Sequence, residues 1–263
     1  MDLATLLSDL AAEAADLDSI VAALEPDDWA KPTPAQGWTI AHQIGHLGWT
    51  DRVAGIAATD PLAFNLIIEQ ALSNPEGYVD SEAGAEASLP PNEILERWRT
   101  GRREVVRALG ELHDSRPGER VPWFGPSMSP ASMATARIME TWAHGQDVAD
   151  ALRVQRRPTD RLRHVAHIGV RARGFAYSLN GLELPDAEVR VELRAPDGEI
   201  WAWGPEDAVE RVVGPALDFC LLVTQRRNLA DLDVSAVGAN AQQWLSIAQA
   251  FAGPPGGGRA PLG

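Results

Sequence analysis

Two stretches about a hundred residues apart put histidines and carboxylates onto segments that otherwise read as buried helix, and this pairing limits the folds open to the chain. In Ile138-Met139-Glu140-Thr141-Trp142-Ala143-His144-Gly145-Gln146-Asp147-Val148-Ala149-Asp150, Glu140 and His144 stand four apart on one helix face, which Asp147 continues three residues on. Ile138, Trp142 and Val148 are apolar neighbours, so the polar stripe faces a core, where an unpaired carboxylate is costly. A bound cation is one compensation. In Gly37-Trp38-Thr39-Ile40-Ala41-His42-Gln43-Ile44-Gly45-His46-Leu47-Gly48-Trp49-Thr50-Asp51, Thr39 can cap a helix on which His42 and His46 share a face, with Ile40, Ile44 and Leu47 on an apolar one. One histidine from here with Glu140 and His144 makes a two-histidine, one-carboxylate set. That is the ligand count of a catalytic divalent metal with a position left for water or substrate. Two imidazoles suit Zn2+ or another first-row ion better than an oxygen-only ion.

Periodicity elsewhere supplies the rest of a bundle. Leu3 to Leu24 carries an unbroken helical stripe, and Pro26, Pro32, Pro34 and Gly37 make the following segment a loop. The second helix runs from Thr39 to about Ala58, and a shorter apolar segment spans Pro61 to Ser73. Asn74 to Pro91 reads as a long surface loop. Asn92 to Leu112 forms a third helix with a charged outer face, and His113 at its end is structural or exposed. In the loop Val121 to Pro130, Trp123, Phe124 and Met128 either wall a pocket or plug the open end of the bundle. A fourth helix covers Ala131 to Val154. Four helices with a polar constellation on two of them describe a four-helix bundle with a core metal site.

Beyond Arg156-Arg157-Pro158 the pattern changes. Thr159 to Leu179 reads as one helix, whose His164 and His167 lack a carboxylate at helical spacing and are assigned to packing or surface. Val189 to Arg194 and Ile200 to Trp203 alternate around Pro196-Asp197-Gly198 as a β-hairpin. Val209 to Arg227 and Asn240 to Phe251 read as helical, with Leu232 to Val237 as a third strand. The expectation is an α+β chain: residues 1–157 a bundle, 158–253 a helix plus small α/β domain, and 254–263 a flexible Pro/Gly tail.

Composition narrows the function. A formal net charge of −14 argues against nucleic acid or an anionic membrane as partner, because phosphate binding needs clustered cations. No stretch reaches the roughly 20 apolar residues of a membrane span, and Met1-Asp2 lacks a cationic leader region, which points to the cytoplasm. Cys220 is the single cysteine, sits in an apolar run, and reads as an inert buried thiol.

The segments Trp38-Thr39 with His46-Leu47-Gly48-Trp49-Thr50-Asp51, and Glu140-Thr141-Trp142-Ala143-His144-Gly145-Gln146-Asp147-Val148, resemble the DinB-like superfamily, specifically its mycothiol-dependent maleylpyruvate isomerase branch. The run Trp244 to Gly253 is similar to a subgroup described only as metal-binding. The resemblance implies a four-helix bundle followed by an α/β domain of sterol-carrier-like type, and a zinc ion held by His46, Glu140 and His144. His42 departs from the pattern and stands as a fourth ligand, a group behind the ligands or a substrate contact. Arg226 or Arg227 is the candidate for an active-site arginine. Asp147 is the candidate acceptor for the outer ring N–H of His144, while Asp51 reads as a cap or an arginine partner.

A mechanism follows from these expectations. Coordination deprotonates a small-molecule thiol such as mycothiol, which then adds to a small electrophile, giving isomerisation or S-transfer. Trp49, Trp123, Trp142 and Met128 would shape the apolar side of the pocket. Metal-activated water for hydrolysis of an ester or amide, and a non-catalytic carrier of a metal or hydrophobic ligand, are the alternatives. The protein is expected to be a monomer or homodimer.

Overall fold

The computed structural model describes residues 2–254 and 256–262. Met1 of the acidic start, and Pro255 and Gly263 of the Pro/Gly tail, lie outside the described residues. The chain is α+β and separates between Arg156 and Arg157 into two compact units, a helical one and a small α/β one.

In the first unit, α1 (Leu3–Val21) starts at Asp2, whose carboxylate accepts from the Thr5 amide, and buries Leu6, Leu10, Ala14, Leu17 and Val21 along one stripe. α2 (Ile40–Thr59) begins with a capping box in which the backbones and side chains of Thr39 and His42 exchange bonds. Sixteen of its 20 residues are buried, so it needs neighbours on nearly every side. These are α3 (Pro61–Ser73), α4 (Tyr78–Ala87), α5 (Pro91–Ser115) and α6 (Pro130–Leu152). α1 packs on α5 and α6 and closes the bundle. Close approach to α2 depends on glycine: a Cβ on Gly48 would lie 3.2 Å from Trp98 Cα of α5, and one on Gly45 would lie 2.8 Å from Glu86 Cβ of α4.

The apolar interior of this unit forms two clusters, one with Trp49, Val53, Phe64, Leu109 and Ile138, the other with Ile40, Ile44, Leu47, Trp98 and Val148. Along both α2 and α6, the polar residues of interest fall in sequence where one cluster hands over to the other. α4 occupies what the sequence reads as surface loop. Its fully buried residues are Ala83 and Glu86, and Tyr78 at its start packs half-buried against Trp49, so the usual apolar stripe is missing.

The second unit holds α7 (Leu162–Arg171), α8 (Arg173–Leu179), a four-stranded sheet, α9 (Ala216–Val223) and α10 (Ala239–Ile247). The single helix expected over Thr159 to Leu179 breaks at Ala172, because the buried stripe of Leu162, Val165, Ala166 and Gly169 lapses before Ala176 and Tyr177 resume it. The sheet has the order β2-β1-β3-β4, from β1 (Val189–Arg194), β2 (Ile200–Trp203), β3 (Glu210–Pro215) and β4 (Ser235–Val237). β1 runs antiparallel to β2 and parallel to β3, with Val191 opposite Trp203 and Val212. β3 corrects the expectation of helix from Val209: Glu210 and Val212 turn inward at strand spacing, and Pro215 marks the switch to α9. α9 and α10 meet edge to face through Phe219 and Trp244, with ring centroids 6.0 Å apart. In the tail, the Arg259 carbonyl accepts from Asn228 Nδ2 at 2.8 Å and the Leu262 amide donates to Asp231. No helix among the described residues is long and apolar enough to cross a membrane.

The α2–α5 contact yields a stability prediction. Gly48→Val forces α5 away from α2 and should lower unfolding stability by about 1–3 kcal/mol, the usual cost of overpacking; chemical denaturation of the two proteins measures it.

Candidate metal centre

α2 contributes His46 and α6 contributes Glu140 and His144, and one donor atom from each lies within 4.8 Å of the others. His144 Nε2 is 3.1 Å and His46 Nε2 3.9 Å from the same oxygen, Glu140 Oε2. With metal–donor bonds of about 2.0–2.2 Å, donors around a tetrahedral ion sit roughly 3.3–3.6 Å apart, a value these two distances bracket. His46 is buried, and its Nδ1 has no hydrogen-bond partner among the described residues, so the ring's polar engagement is with Glu140. Two imidazole nitrogens and one carboxylate oxygen fit a first-row divalent ion.

The charge states match that use. Burial pushes the His46 imidazolium pKa down to about 4, leaving a neutral ring with a lone pair at neutral pH. Burial alone would raise the Glu140 carboxyl, yet the imidazoles of His144 and His46 and the nearby Arg137 guanidinium hold it well below the ordinary carboxylate range. Arg137 is itself tied down, with Nε donating to Asp51 Oδ1 at 2.7 Å and Nη2 to Thr50 Oγ1 at 2.7 Å. Asp51 therefore serves the arginine and not a histidine.

Around the donors, the structure departs from several expectations. His42 is not among the converging groups: its Nδ1 lies 2.8 Å from Thr39 Oγ1 and accepts the Thr39 amide, so helix capping occupies it. Asp147 is fully buried on α6, but both ring nitrogens of His144 are taken, Nε2 by Glu140 and Nδ1 by Gln43 Oε1 at 2.5 Å. Gln43 thus holds the place expected for Asp147. It stands three residues before His46 on the same helical face, which places it beside that residue but does not by itself say that it meets His144.

Trp38 is the other residue the sequence reading missed as a contact. Its ring stacks on His144 with centroids 5.9 Å apart and packs against His46 at 5.2 Å, while Nε1 donates to Asp80 Oδ1 of α4 at 2.9 Å. It precedes the helix cap, where no periodicity marks an inward residue.

From His46 an unbroken run of aromatic rings leads outward. Trp49 lies 5.8 Å from His46, Phe124 6.4 Å from Trp49, and Trp123 5.1 Å from Phe124 while stacking on Phe64. Met128 packs half-buried against the same cluster. Trp142 is buried on α6 with its carbonyl accepting from Arg156 Nη1, and its ring is not among those packed on the two histidines. Arg226 belongs to the second unit, where Nη1 donates to the Thr224 carbonyl at 2.6 Å. There too Cys220 is buried, and burial raises its thiol well above the ordinary range. His164 is buried, and His167 Nδ1 accepts from Trp203 Nε1.

Residues 10–149, more than half of the chain, match the sequence model of the mycothiol maleylpyruvate isomerase N-terminal domain. The chain belongs to this family. Residues 185–237 match a second model, described as wyosine base formation. Among curated relatives, uncharacterized proteins from Mycobacterium tuberculosis strains H37Rv and CDC 1551 / Oshkosh are each 57% identical over 253 residues, spanning 96% of this chain and 97% of theirs. Among solved structures, the mycothiol-dependent maleylpyruvate isomerase and a substituted variant of it superpose with a TM-score of 0.61 at 14% identity. Each match covers 90% of this chain and 93% of the other. At that identity the superposition establishes a shared fold, and the family membership rests on the sequence matches.

The depressed His46 pKa makes stability depend on pH. Between about 4 and 6.5 the unfolded chain binds a proton at this residue that the folded chain does not, so stability rises with pH through that window and is lost as pH falls. Glu140 stays ionised across it. The metal-free protein should lose up to about 3 kcal/mol at His46 between pH 7.5 and 4, and His46→Gln should flatten that part of the profile; urea titrations at several pH values measure both.

Proposed function

We propose that the protein is a metal-dependent enzyme that uses mycothiol as co-substrate on a small electrophile, as an isomerase or S-transferase. The observation that carries the reading is the convergence of His46, Glu140 and His144, with burial disfavouring the charged form of His46 and Glu140 held ionised, in a chain belonging to the mycothiol maleylpyruvate isomerase N-terminal domain family. A divalent ion on these residues, Zn2+ or another first-row metal, would supply Lewis acidity at an open position and lower the pKa of a thiol there from about 8.5.

The chain's own residues prepare that site. His46 and His144 offer imidazole nitrogens, and Glu140 supplies one negative charge to offset a dication. Trp38 packs on both imidazole rings and Trp49 on that of His46, which lowers the polarity around the donors and strengthens charge interactions there. The Arg137 and Asp51 pair adds no net charge beneath the donors. Trp123, Phe124 and Met128 offer apolar surface for the organic part of a ligand. Cys220, buried and held protonated, is no nucleophile, so the thiol must come from a co-substrate.

Metal analysis followed by calorimetric titration with mycothiol tests the reading. The expected result is one equivalent of divalent metal, and thiol binding that disappears on chelation. Metal without thiol affinity, with turnover of esters or amides in its absence, would replace it with hydrolysis. His144→Ala should lose stoichiometric metal and thiol-dependent activity while circular dichroism retains the helical signal, and Cys220→Ala should keep that activity.

A further inference from the structure

The elements that carry the aromatic run outward from His46 hold few cations, and each of these is engaged by a protein acceptor. Trp49 sits on α2, Phe64 on α3, Tyr78 on α4, and Trp123 and Phe124 on the loop before α6. Residues 60–86, which include most of α3 and α4, hold six carboxylates and no lysine, arginine or histidine. α2 and α6 contribute one arginine each. Arg52 Nη2 donates to Glu86 Oε1 at 2.7 Å, and Arg137 donates to Asp51 and Thr50. Arg120, at the foot of the loop, donates through Nε to Ser127 Oγ at 3.1 Å and through Nη2 to the Ser127 carbonyl, so it braces the two ends of the loop.

The rings make one surface. Tyr78 meets Trp49 edge-on at 5.6 Å and Phe124 at 6.4 Å, and Phe124 meets Phe64 at 5.5 Å. Phe124 is 40% exposed, which brings the outer end of the surface to solvent. The Tyr78 hydroxyl is the one ionisable group among these five rings, and partial burial and Glu82 both raise its pKa, so it stays a neutral donor. A carboxylate settling here would exchange water for the electron-rich faces of the rings, with no uncommitted guanidinium or ammonium on these elements to receive it. The acids of α4 add a repulsive field.

We propose that the small electrophile is a flat apolar molecule without negative charge, taken up on the surface made by Trp49, Tyr78, Trp123 and Phe124, and that anionic analogues are excluded. That this ligand is the electrophile rests on the reading under Proposed function; its chemical class rests on the rings and the charges around them. In that reading the two charges of the ion are matched by Glu140 and the co-substrate thiolate, which leaves no surplus for a substrate carboxylate.

Acetophenone and benzoate, near-isosteres that differ by one negative charge and are not hydrolysed, serve as probes. They are titrated at neutral pH into the metal-free protein, and into protein carrying Zn2+ and saturating mycothiol, with ligand-detected NMR. Acetophenone should bind at least about tenfold more tightly than benzoate in both forms; the second form excludes Glu140 alone as the source of the difference. Phe124→Ala, at a half-exposed loop position, should weaken acetophenone roughly 2- to 10-fold, the worth of one aromatic contact. Glu82→Lys should strengthen benzoate severalfold with little change for acetophenone. Benzoate binding as tightly as acetophenone would reveal a cation that these elements do not supply, and overturns the proposal. So does acetophenone that fails to bind or that binds Phe124→Ala as well as the wild type, or benzoate that gains nothing from Glu82→Lys. Failure of metal or thiol to bind removes the proposed function instead, and the titrations of the metal-free protein still judge the surface.

Discussion

α2 is buried on nearly every side, so most of the polar groups it carries find their partners inside the protein, His46 Nδ1 excepted among the described residues. The rest of the first unit follows from that constraint. Glycines at 45 and 48 let α4 and α5 come close enough to cover it. His42 is used at the cap, Gln43 and His46 face α6, and Asp51 takes a guanidinium from the same helix. No member of this set is left facing solvent by default, as a surface histidine or aspartate would be. Replacing any of them changes the partner as well as the residue.

The result is a polar seam whose charges are arranged unequally. Beneath the donors, Arg137 and Asp51 neutralise one another, and separating them would leave an uncompensated buried ion. At the donors, a carboxylate stands between two imidazoles, with no lysine or arginine in direct contact with it among the described residues. A site whose anion makes no direct ion pair with a lysine or arginine, with two imidazoles beside it, is ready to receive positive charge from outside.

Much of this was legible in the sequence, and the failures have physical causes. The four bundle helices, the Glu140 and His144 pair and the two histidines of α2 could be read because long amphipathic stripes and i,i+4 pairs are local patterns, whereas the preference for His46 over His42 is what the family resemblance implies. α4 carries no legible stripe because its buried residues are an alanine and a glutamate, with a single aromatic, Tyr78, at its start. β3 was merged with α9 because Val212 and Val213 run directly into an apolar helix, so the change of period is marked only by Pro215. Trp38 and Gln43 were passed over for a different reason: which residue faces His144 is decided by how α2 meets α6, and spacing within one helix cannot say that Gln43 lies nearer than Asp147. The same limit applies to His42, whose i,i+4 relation to His46 is real but whose ring is turned back to Thr39.

The donors come from helices separated by about a hundred residues of chain, and this has a consequence for folding. Any ion gripped by both α2 and α6 acts as a staple across most of the first unit, restricting the unfolded chain much as a cross-link closing a loop of that length would. In a protein with one cysteine, and hence no internal disulfide, occupancy of this seam would be the means by which small-molecule chemistry registers as mechanical cohesion of the bundle.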